Sequence, residues 1–318
     1  MARKKMTKKY RAALIGLGNI AWKYDRDNCD NEITTHMEAY LNSDDVEVVG
    51  GFDPCEDARN EFSKKYQVKA FDSIEELIEE KVDILSICSP SKFHYDHLKR
   101  ALSSDIKMVW LEKPPVENIT EFKEMVSLIG DTKVNVNYMR RHHPFFKKIR
   151  EITKNKNYGV LQSCEVSFSK GFLTNGSHMV DLIAFIVDEK VSIDFSNITK
   201  DGSSGVGVGK TKTGTSVLIK GSDVPYHYLE SIFVFEKGRI VVKNGGKEWI
   251  EEERIENADY PGTFSLKQKY TESFEQNLGF IKEGLDDLIQ NFEQKRDSDL
   301  SFVKFENTLK LISELIGE

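Results

Sequence analysis

The chain of 318 residues has few cysteines and no excess of positive charge, and both absences narrow its function. Its four cysteines show no C-x-x-C spacing and nothing suggests export, which favours reduced thiols in the cytoplasm. Lysine and arginine number 45 against 52 for aspartate and glutamate, so the net charge is −7. A general affinity for nucleic acid or for an anionic membrane surface is therefore not expected. A small molecule is the expected partner.

Long apolar runs are also missing. No run reaches the roughly 20 residues that span a bilayer, so no membrane segment is predicted. The basic start, Arg3 to Lys9, is not followed by an apolar core, which argues against a signal peptide. Two histidine pairs, His94-x-x-His97 and His142-His143, lack a cysteine or carboxylate at a recognised ligand spacing, and no metal site is predicted.

A glycine motif near the start of the chain is its most informative positive feature. The apolar residues 12–15 run directly into Gly16-Leu-Gly18-Asn-Ile-Ala21, which has the G-x-G-x-x-A spacing of a strand turning sharply into a helix. Gly16 allows the tight turn, Gly18 allows close approach of a pyrophosphate, and Ala21 allows the helix to pack on the strand. The amino end of such a helix binds phosphate, so the motif indicates a dinucleotide site.

The first 138 residues alternate between strand and helix patterns. This rhythm predicts a Rossmann domain with a doubly wound parallel sheet, whose ligands lie at the carboxyl ends of the strands. Residues 139–318 read instead as an α+β domain with a mostly antiparallel sheet. Its last two predicted helices cover roughly Leu266–Phe292 and Ser301–Ile316.

Two polar features adjoin the predicted dinucleotide site. The segment Trp22–Thr34 is charged and aperiodic, which predicts a loop inserted into the first helix, with the helical pattern resuming at His36. Asp53 ends the second strand and precedes Pro54. A carboxylate there can accept both ribose hydroxyls of an adenosine and repel a 2′-phosphate, which favours NAD over NADP. Alternatively, Asp53-Pro54 only caps and opens the next helix.

Five motifs in one order resemble the Gfo/Idh/MocA family of NAD(P)-dependent oxidoreductases over nearly all of the chain. They are Gly16-x-Gly-x-x-Ala21, Asp53-Pro54, Ser89-Pro90-x-x-x-His94, Glu112-Lys113-Pro114 and His178-x-x-Asp181. The resemblance implies hydride transfer on sugars, polyols or related carbonyl compounds. It also implies that residues 139–318 are a substrate-binding and oligomerisation domain with an open sheet, which forms the contacts of a homodimer or homotetramer.

The resemblance also assigns residues. Lys113 matches the catalytic lysine of the family and His178 its acid/base histidine, with Asp181 near the substrate. The predicted cofactor-binding residues are Gly16, Gly18, Asn19, Ile20, Asp53, Ser89, Pro90, His94, Glu112 and Lys113, and the predicted substrate-binding residues are Tyr138, Arg141, Thr174 and Asp181. The family frequently has the pattern D-x-x-x-H, in which an aspartate stands four residues before the histidine. This chain has Thr174 at that position, which places a proton relay through such an aspartate in question.

The chemistry of a dehydrogenase needs a group that takes the hydroxyl proton as hydride leaves carbon. Lys113, beside a cationic nicotinamide, is expected to lose some preference for its ammonium form. The alternative is that Lys113 only orients the substrate. His178 is a natural acid or base, although on a helix it could equally be a core histidine.

Arg140 and Arg141 follow the last Rossmann strand at the predicted domain junction. With Lys170 they could hold a carboxylate or phosphate, which suggests an anionic sugar or nucleotide sugar as substrate. A solvated basic helix start explains the same residues. Two further functions stay open: an NAD-dependent lyase or glycoside-cleaving enzyme that oxidises its substrate transiently, and a non-catalytic sensor that binds dinucleotide or sugar.

Overall fold

The computed structural model describes residues 9–26, 33–274 and 280–317. The chain forms two compact units. Unit 1 comprises Met1–Met139 and Gly279–Lys304, and unit 2 comprises Arg140–Leu278 and Phe305–Glu318. The first crossing between units falls within two residues of the predicted boundary after residue 138. The chain then returns to unit 1 at residues 279–304, which the two-segment division did not anticipate.

Unit 1 is built on a six-stranded parallel sheet with the order β3-β2-β1-β4-β5-β6. Its strands are β1 (Tyr10–Ile15), β2 (Val46–Phe52), β3 (Lys69–Phe71), β4 (Ile84–Ile87), β5 (Met108–Leu111) and β6 (Lys133–Val136). This is the doubly wound Rossmann order, in which the connections reverse direction between β1 and β4. Ligands of such sheets bind outside the carboxyl ends of the strands at that reversal.

The helices of unit 1 follow the apolar pattern of the sequence. They are α1 (His36–Leu41), α2 (Glu56–Tyr66), α3 (Ile74–Glu79), α4 (His94–Leu102), α5 (Ile119–Leu128) and, from the returning segment, α8 (Ile281–Glu293). Ser73 caps α3, because its hydroxyl accepts the N–H of Glu76 at 3.1 Å. Helix α8 packs on β5 and β6, where a Cβ at Gly284 would lie 3.5 Å from Trp110.

Unit 2 contains an eight-stranded sheet with the order β14-β13-β12-β11-β7-β10-β9-β8. All of its strand pairs are antiparallel except β7 with β10. The strands are β7 (Leu161–Ser169), β8 (Val191–Ile198), β9 (Gly205–Thr211), β10 (Ser216–Ser222), β11 (Leu229–Phe235), β12 (Gly238–Lys243), β13 (Glu248–Glu256) and β14 (Phe264–Ser273). The helices are α6 (Pro144–Asn155), α7 (Ser177–Val187) and α9 (Glu306–Ile316). The predicted α/β and α+β classes are therefore confirmed.

The long helix predicted over Leu266–Phe292 is wrong in its first half. Residues Phe264–Ser273 form β14, and helix begins only at Ile281. The segment is rich in helix formers, but it pairs with β13, whose acidic residues oppose its lysines. Lys267 lies opposite Glu253, and the Lys269 ammonium is 3.3 Å from Glu251. Cross-strand charge pairing and the ladder of hydrogen bonds outweigh intrinsic helix preference here. No helix in the described ranges is both apolar enough and long enough for a membrane crossing.

Candidate cofactor and active site

The glycine turn has the local geometry that a dinucleotide site requires. Gly16 has φ +84°, and a Cβ there would lie 2.6 Å from the backbone nitrogen of Ser89. The end of β1 thus approaches the end of β4 so closely that no side chain fits at residue 16. A Cβ on Gly18 would meet no atom within 4 Å, and Gly18 and Asn19 are exposed. The turn therefore presents bare backbone to whatever binds beside it, which fits a pyrophosphate.

The helix expected after this turn is interrupted, as the inserted segment predicted. Residues 18–22 form a hydrogen-bonded turn that leads into a short 3-10 helix, Lys23–Asp25, and the next α-helix is α1, six residues long. The first N–H groups of α1 nevertheless bond back to that turn: His36 N–H donates to Ile20 at 3.1 Å and Met37 N–H to Ala21 at 2.9 Å. These two hydrogen bonds join the start of α1 to the turn that precedes the insertion.

The inserted segment is less uniformly polar than its sequence suggests. Trp22 is fully buried, and its indole N–H donates to the Leu17 carbonyl at 3.0 Å. Buried Asp25 accepts hydrogen bonds from the Thr34 N–H and the Thr35 hydroxyl, which joins the two ends of the segment. Trp22 is thus part of the core rather than of a loop, while residues 27–32 of the predicted loop lie outside the described residues.

Asp53 adjoins the glycine turn through its carboxylate. One oxygen accepts the Leu17 N–H at 2.8 Å and the other accepts the Cys55 N–H at 2.9 Å. The prediction that Asp53-Pro54 opens the helix is wrong, because α2 begins at Glu56 with Cys55 as its N-cap. Each carboxylate oxygen has more than one lone pair, so these bonds leave acceptor capacity for ribose hydroxyls.

His94 joins the ends of β4 and β5. Its ring is buried between the carbonyl oxygens of Ser89, 2.8 Å from Nε2, and Pro114, 2.7 Å from Nδ1. Burial lowers the pKa of His94, and the neutral ring can donate to only one of these two oxygens. Ser89 in turn bonds the His97 ring at 2.9 Å. His94 is therefore placed to shape the loops after β4 and β5 from the interior.

A buried polar network, not anticipated from the sequence, lies behind the Glu112-Lys113-Pro114 strand end. The Glu112 carboxylate is 3.0 Å from His36 Nε2 and accepts the Asn137 amide at 2.6 Å. His36 Nδ1 is 2.8 Å from the Ser86 hydroxyl, which also contacts Tyr40. Its sequence signal was weak: one serine inside a buried apolar strand, and a histidine and tyrosine one helical turn apart.

The network keeps Glu112 ionised inside the protein. Burial by itself would raise the pKa of Glu112, but the hydrogen bond and charge of His36, the Asn137 amide and the charge of Lys113 together bring it below its usual value. Lys113 N–H donates to the same carboxylate at 3.3 Å, and the Lys113–Pro114 peptide bond is cis. Lys113 itself is half-buried at the carboxyl end of β5.

In unit 2, His178 is the second residue of α7 and is 8% exposed. A π-helical turn, Gly171–Gly176, precedes α7, and such turns are frequent at functional sites. Thr174 lies in this turn, exposed, and its hydroxyl donates to the Gly171 carbonyl at 3.2 Å. Thr174, which replaces the aspartate that is frequent in the family, is therefore exposed on the turn that precedes His178.

Arg141 and Asp181 form a buried ion pair. Arg141 Nε donates to Asp181 at 2.9 Å, its Nη2 reaches the other carboxylate oxygen, and the Thr308 hydroxyl donates to that oxygen at 2.9 Å. Burial raises the pKa of Asp181, which Arg141 and Thr308 partly oppose. These two predicted substrate-binding residues thus bind each other, and Tyr138, predicted with them, is fully buried.

Comparison with known proteins agrees with this geometry. Residues 10–139 match the model of the Gfo/Idh/MocA oxidoreductase family, described as having an NAD-binding Rossmann fold. The match to this family covers most of unit 1 of the chain. D-glucoside 3-dehydrogenase of Escherichia coli K12 is a relative with 24% identity over 267 residues, covering 76% of this chain and 69% of that protein.

Solved structures share the fold over nearly the whole chain. UDP-N-acetylglucosamine 3-dehydrogenase GnnA from Acidithiobacillus ferrooxidans has a TM-score of 0.73 and 15% identity, covering 96% of each chain. KijD10, a 3-ketoreductase from Actinomadura kijaniata solved with TDP-benzene and NADP, has a TM-score of 0.75 and 15% identity, covering 97% of each chain. The resemblance to the Gfo/Idh/MocA family that the motifs predicted is confirmed by the family model over residues 10–139.

Proposed function

We propose that this protein transfers a hydride between NAD(H) and a secondary alcohol or ketone of a sugar, a polyol or a nucleotide sugar. The observation that supports it most is the grouping at the carboxyl ends of β1, β2 and β5: a glycine turn, a carboxylate and a half-buried lysine. The named relatives act at position 3 of their substrates, which makes that carbon the first candidate. Unit 2 would supply substrate contacts and the surfaces of a homodimer or homotetramer.

Residues of the glycine turn fit the cofactor. Gly16, Gly18, Asn19 and Ile20 would hold the pyrophosphate, Asp53 the adenosine ribose, and the loop Ser89-Pro90 the far side of the dinucleotide. A bound NAD supplies the acceptor or donor of the hydride. The carboxylate of Asp53 favours NAD over NADP in this proposal, because a 2′-phosphate would meet its negative charge.

Lys113 would move the proton of the reacting hydroxyl. The Lys113 N–H donates to the Glu112 carboxylate, which His36 and Asn137 hold in place. The backbone position from which the Lys113 side chain extends is therefore fixed at the end of β5. During oxidation the amine accepts the hydroxyl proton, and during reduction the ammonium returns it to the carbonyl oxygen. His178, at the start of α7, is proposed as the second acid/base group. Glu112 and His94, both buried, would serve the cofactor only through the loops that they position.

Substitution of Lys113 tests the proposal. Lys113→Met removes the titratable group and keeps most of the side-chain length, so we expect turnover to fall by about 100-fold or more while NAD binding persists. Turnover is followed by NADH absorbance with sugars and nucleotide sugars as substrates, and NAD affinity by calorimetry. Lys123→Met, on the exposed face of α5, is the matched control. Equal rates for Lys113→Met and wild type would exclude the catalytic role.

A further inference from the structure

Unit 2 contains a group of cationic side chains at one end of its sheet. The group comprises Arg140, Lys170 and His227, and we name it the cationic cluster. In the described part of the chain, none of the three forms a salt bridge. The Nε of Arg140 is buried and has no hydrogen-bond partner among the described residues. A buried donor without an acceptor, on a side chain that is otherwise partly exposed, leaves donors for a group that the protein does not itself provide.

Strand pairing brings Lys170 and His227 together. Phe168 lies opposite Leu229 in the β7–β11 ladder, and Ser169 N–H donates to the Tyr228 carbonyl at 3.1 Å. Lys170 follows Ser169 and His227 precedes Tyr228, so the two residues are neighbours just beyond the ladder. Lys170 has φ +70°, which turns the chain from β7 into the π-helical turn before His178.

Arg140 lies at the same end of the sheet, above the β12–β13 connection. Its Nη2 is 3.9 Å from where a Cβ on Gly245 would be, and that same Cβ would lie 3.7 Å from Leu229. His143 fixes the chain that bears Arg140. It accepts the Phe145 N–H at Nδ1 and donates from Nε2 to the Gly246 carbonyl at 3.0 Å. Burial lowers the pKa of His143 to about 4, so this neutral tautomer persists at physiological pH.

The electrostatics show that Arg140 and Lys170 act on His227 and favour its neutral form. Burial lowers the pKa of His227, and the charges of Arg140 and Lys170 lower it further. Burial alone lowers the pKa of Arg140 to about 10. Among the described residues, no carboxylate opposes either shift. The cluster is therefore an uncompensated positive region in a protein whose net charge is negative.

We propose that the cationic cluster binds a phosphate group of the substrate, so that the preferred substrate is a phosphorylated or nucleotide-linked sugar. This inference rests on the proposed function and narrows its substrate class. Arg140 offers a planar fork of donors, which suits phosphate oxygens. Lys170 adds a positive charge and His227 a ring N–H donor, both just beyond the strands beside it. The sequence suggested that Arg140 and Arg141, with Lys170, hold the anionic group. The Arg141 side chain is bound to Asp181, so the proposed site contains His227 instead of Arg141.

Binding of UDP to NAD-saturated protein tests the inference without any turnover. Saturation with NAD keeps UDP out of the dinucleotide site, and uridine is the matched ligand without phosphate. We expect UDP or glucose 1-phosphate to bind, uridine to bind far more weakly, and Arg140→Gln to lose about 10- to 100-fold in affinity for the phosphate ligand. Arg140→Lys should recover part of that loss, and Lys190→Gln, an exposed charge elsewhere in unit 2, should lose none.

Two results would overturn the inference: equal affinity for UDP and uridine, or unchanged phosphate affinity in both Arg140→Gln and Lys170→Gln. Kinetics then separate it from the proposed function. If wild type and Arg140→Gln oxidise neutral and phosphorylated sugars with the same ratio of kcat/KM, the subsite is refuted and the dehydrogenase stands. If no sugar reduces NAD but UDP binding depends on Arg140, the dehydrogenase is refuted and the phosphate site stands.

Discussion

Asp53 meets two demands with one carboxylate. It fixes the glycine turn by accepting the Leu17 N–H, and it fixes the start of the next connection by accepting the Cys55 N–H. Arg59 donates to the Asp53 carbonyl at 2.8 Å, which holds the same corner from the other side. A residue with this many backbone contacts stabilises the turn whether or not it also touches a ribose, so its two roles must be separated by experiment.

Two substitutions at Asp53 separate them. Asp53→Ala removes both N–H acceptors and the charge, whereas Asp53→Asn removes the charge, keeps one oxygen acceptor and replaces the other with an NH2 donor. We expect both to weaken NAD binding by about tenfold and to narrow the preference for NAD over NADP, and Asp53→Ala to lower the melting temperature more than Asp53→Asn. Calorimetric titration with each dinucleotide provides the ratio. An unchanged ratio in both variants would show that Asp53 has a structural role alone.

At the scale of elements, the two glycines of the glycine turn have different roles, one in the fold and one in the proposed binding of cofactor. Its first glycine is required by the protein itself, since any Cβ at residue 16 would overlap the Ser89 backbone at the end of β4. Its second glycine is not required by any described atom, because the space beside Gly18 is open. The two glycines of one motif are thus expected to respond differently to the same substitution.

Alanine at each glycine tests this difference. Gly16→Ala places a side chain at φ +84° and against the Ser89 backbone, so we expect about 2–4 kcal/mol loss in the free energy of unfolding. Gly18→Ala should change that free energy by less than ~1 kcal/mol while weakening NAD binding about tenfold or more. Urea denaturation and NAD titration measure the two effects. Similar stability losses in both variants would contradict the assignment.

Elements were predictable from the sequence where the local pattern and the tertiary context agree. The strands of unit 1 lie where apolar runs end in turn residues, and α7 lies where its apolar pattern predicts it. β14 was not predictable, because its leucine, lysines, glutamine and glutamate favour helix locally and only the opposing acidic strand β13 makes it a strand. The ion pair of Arg141 with Asp181 was not predictable for a similar reason, because the two residues are far apart in the sequence and only the fold brings them together.

At the scale of the whole chain, the residues with proposed roles are distributed over both units. Unit 1 has the NAD(P)-binding Rossmann fold, and Lys113 is proposed to move the proton there; unit 2 bears His178 and the cationic cluster. The motifs predicted the family and the Rossmann unit, because each motif is local. They could not show that residues 279–304 return to unit 1, since that depends on which apolar face α8 covers.

Transfer of isotope from sugar to cofactor tests the central claim most directly. The protein is incubated with NAD and a sugar or nucleotide sugar deuterated at position 3, and the NADH formed is analysed by mass spectrometry. We predict that deuterium appears in released NADH and that the rate shows a primary isotope effect. NADH that forms without the label would place the chemistry at another carbon. The absence of released NADH with every sugar tested, despite bound NAD, would contradict the claim that this protein is a dehydrogenase.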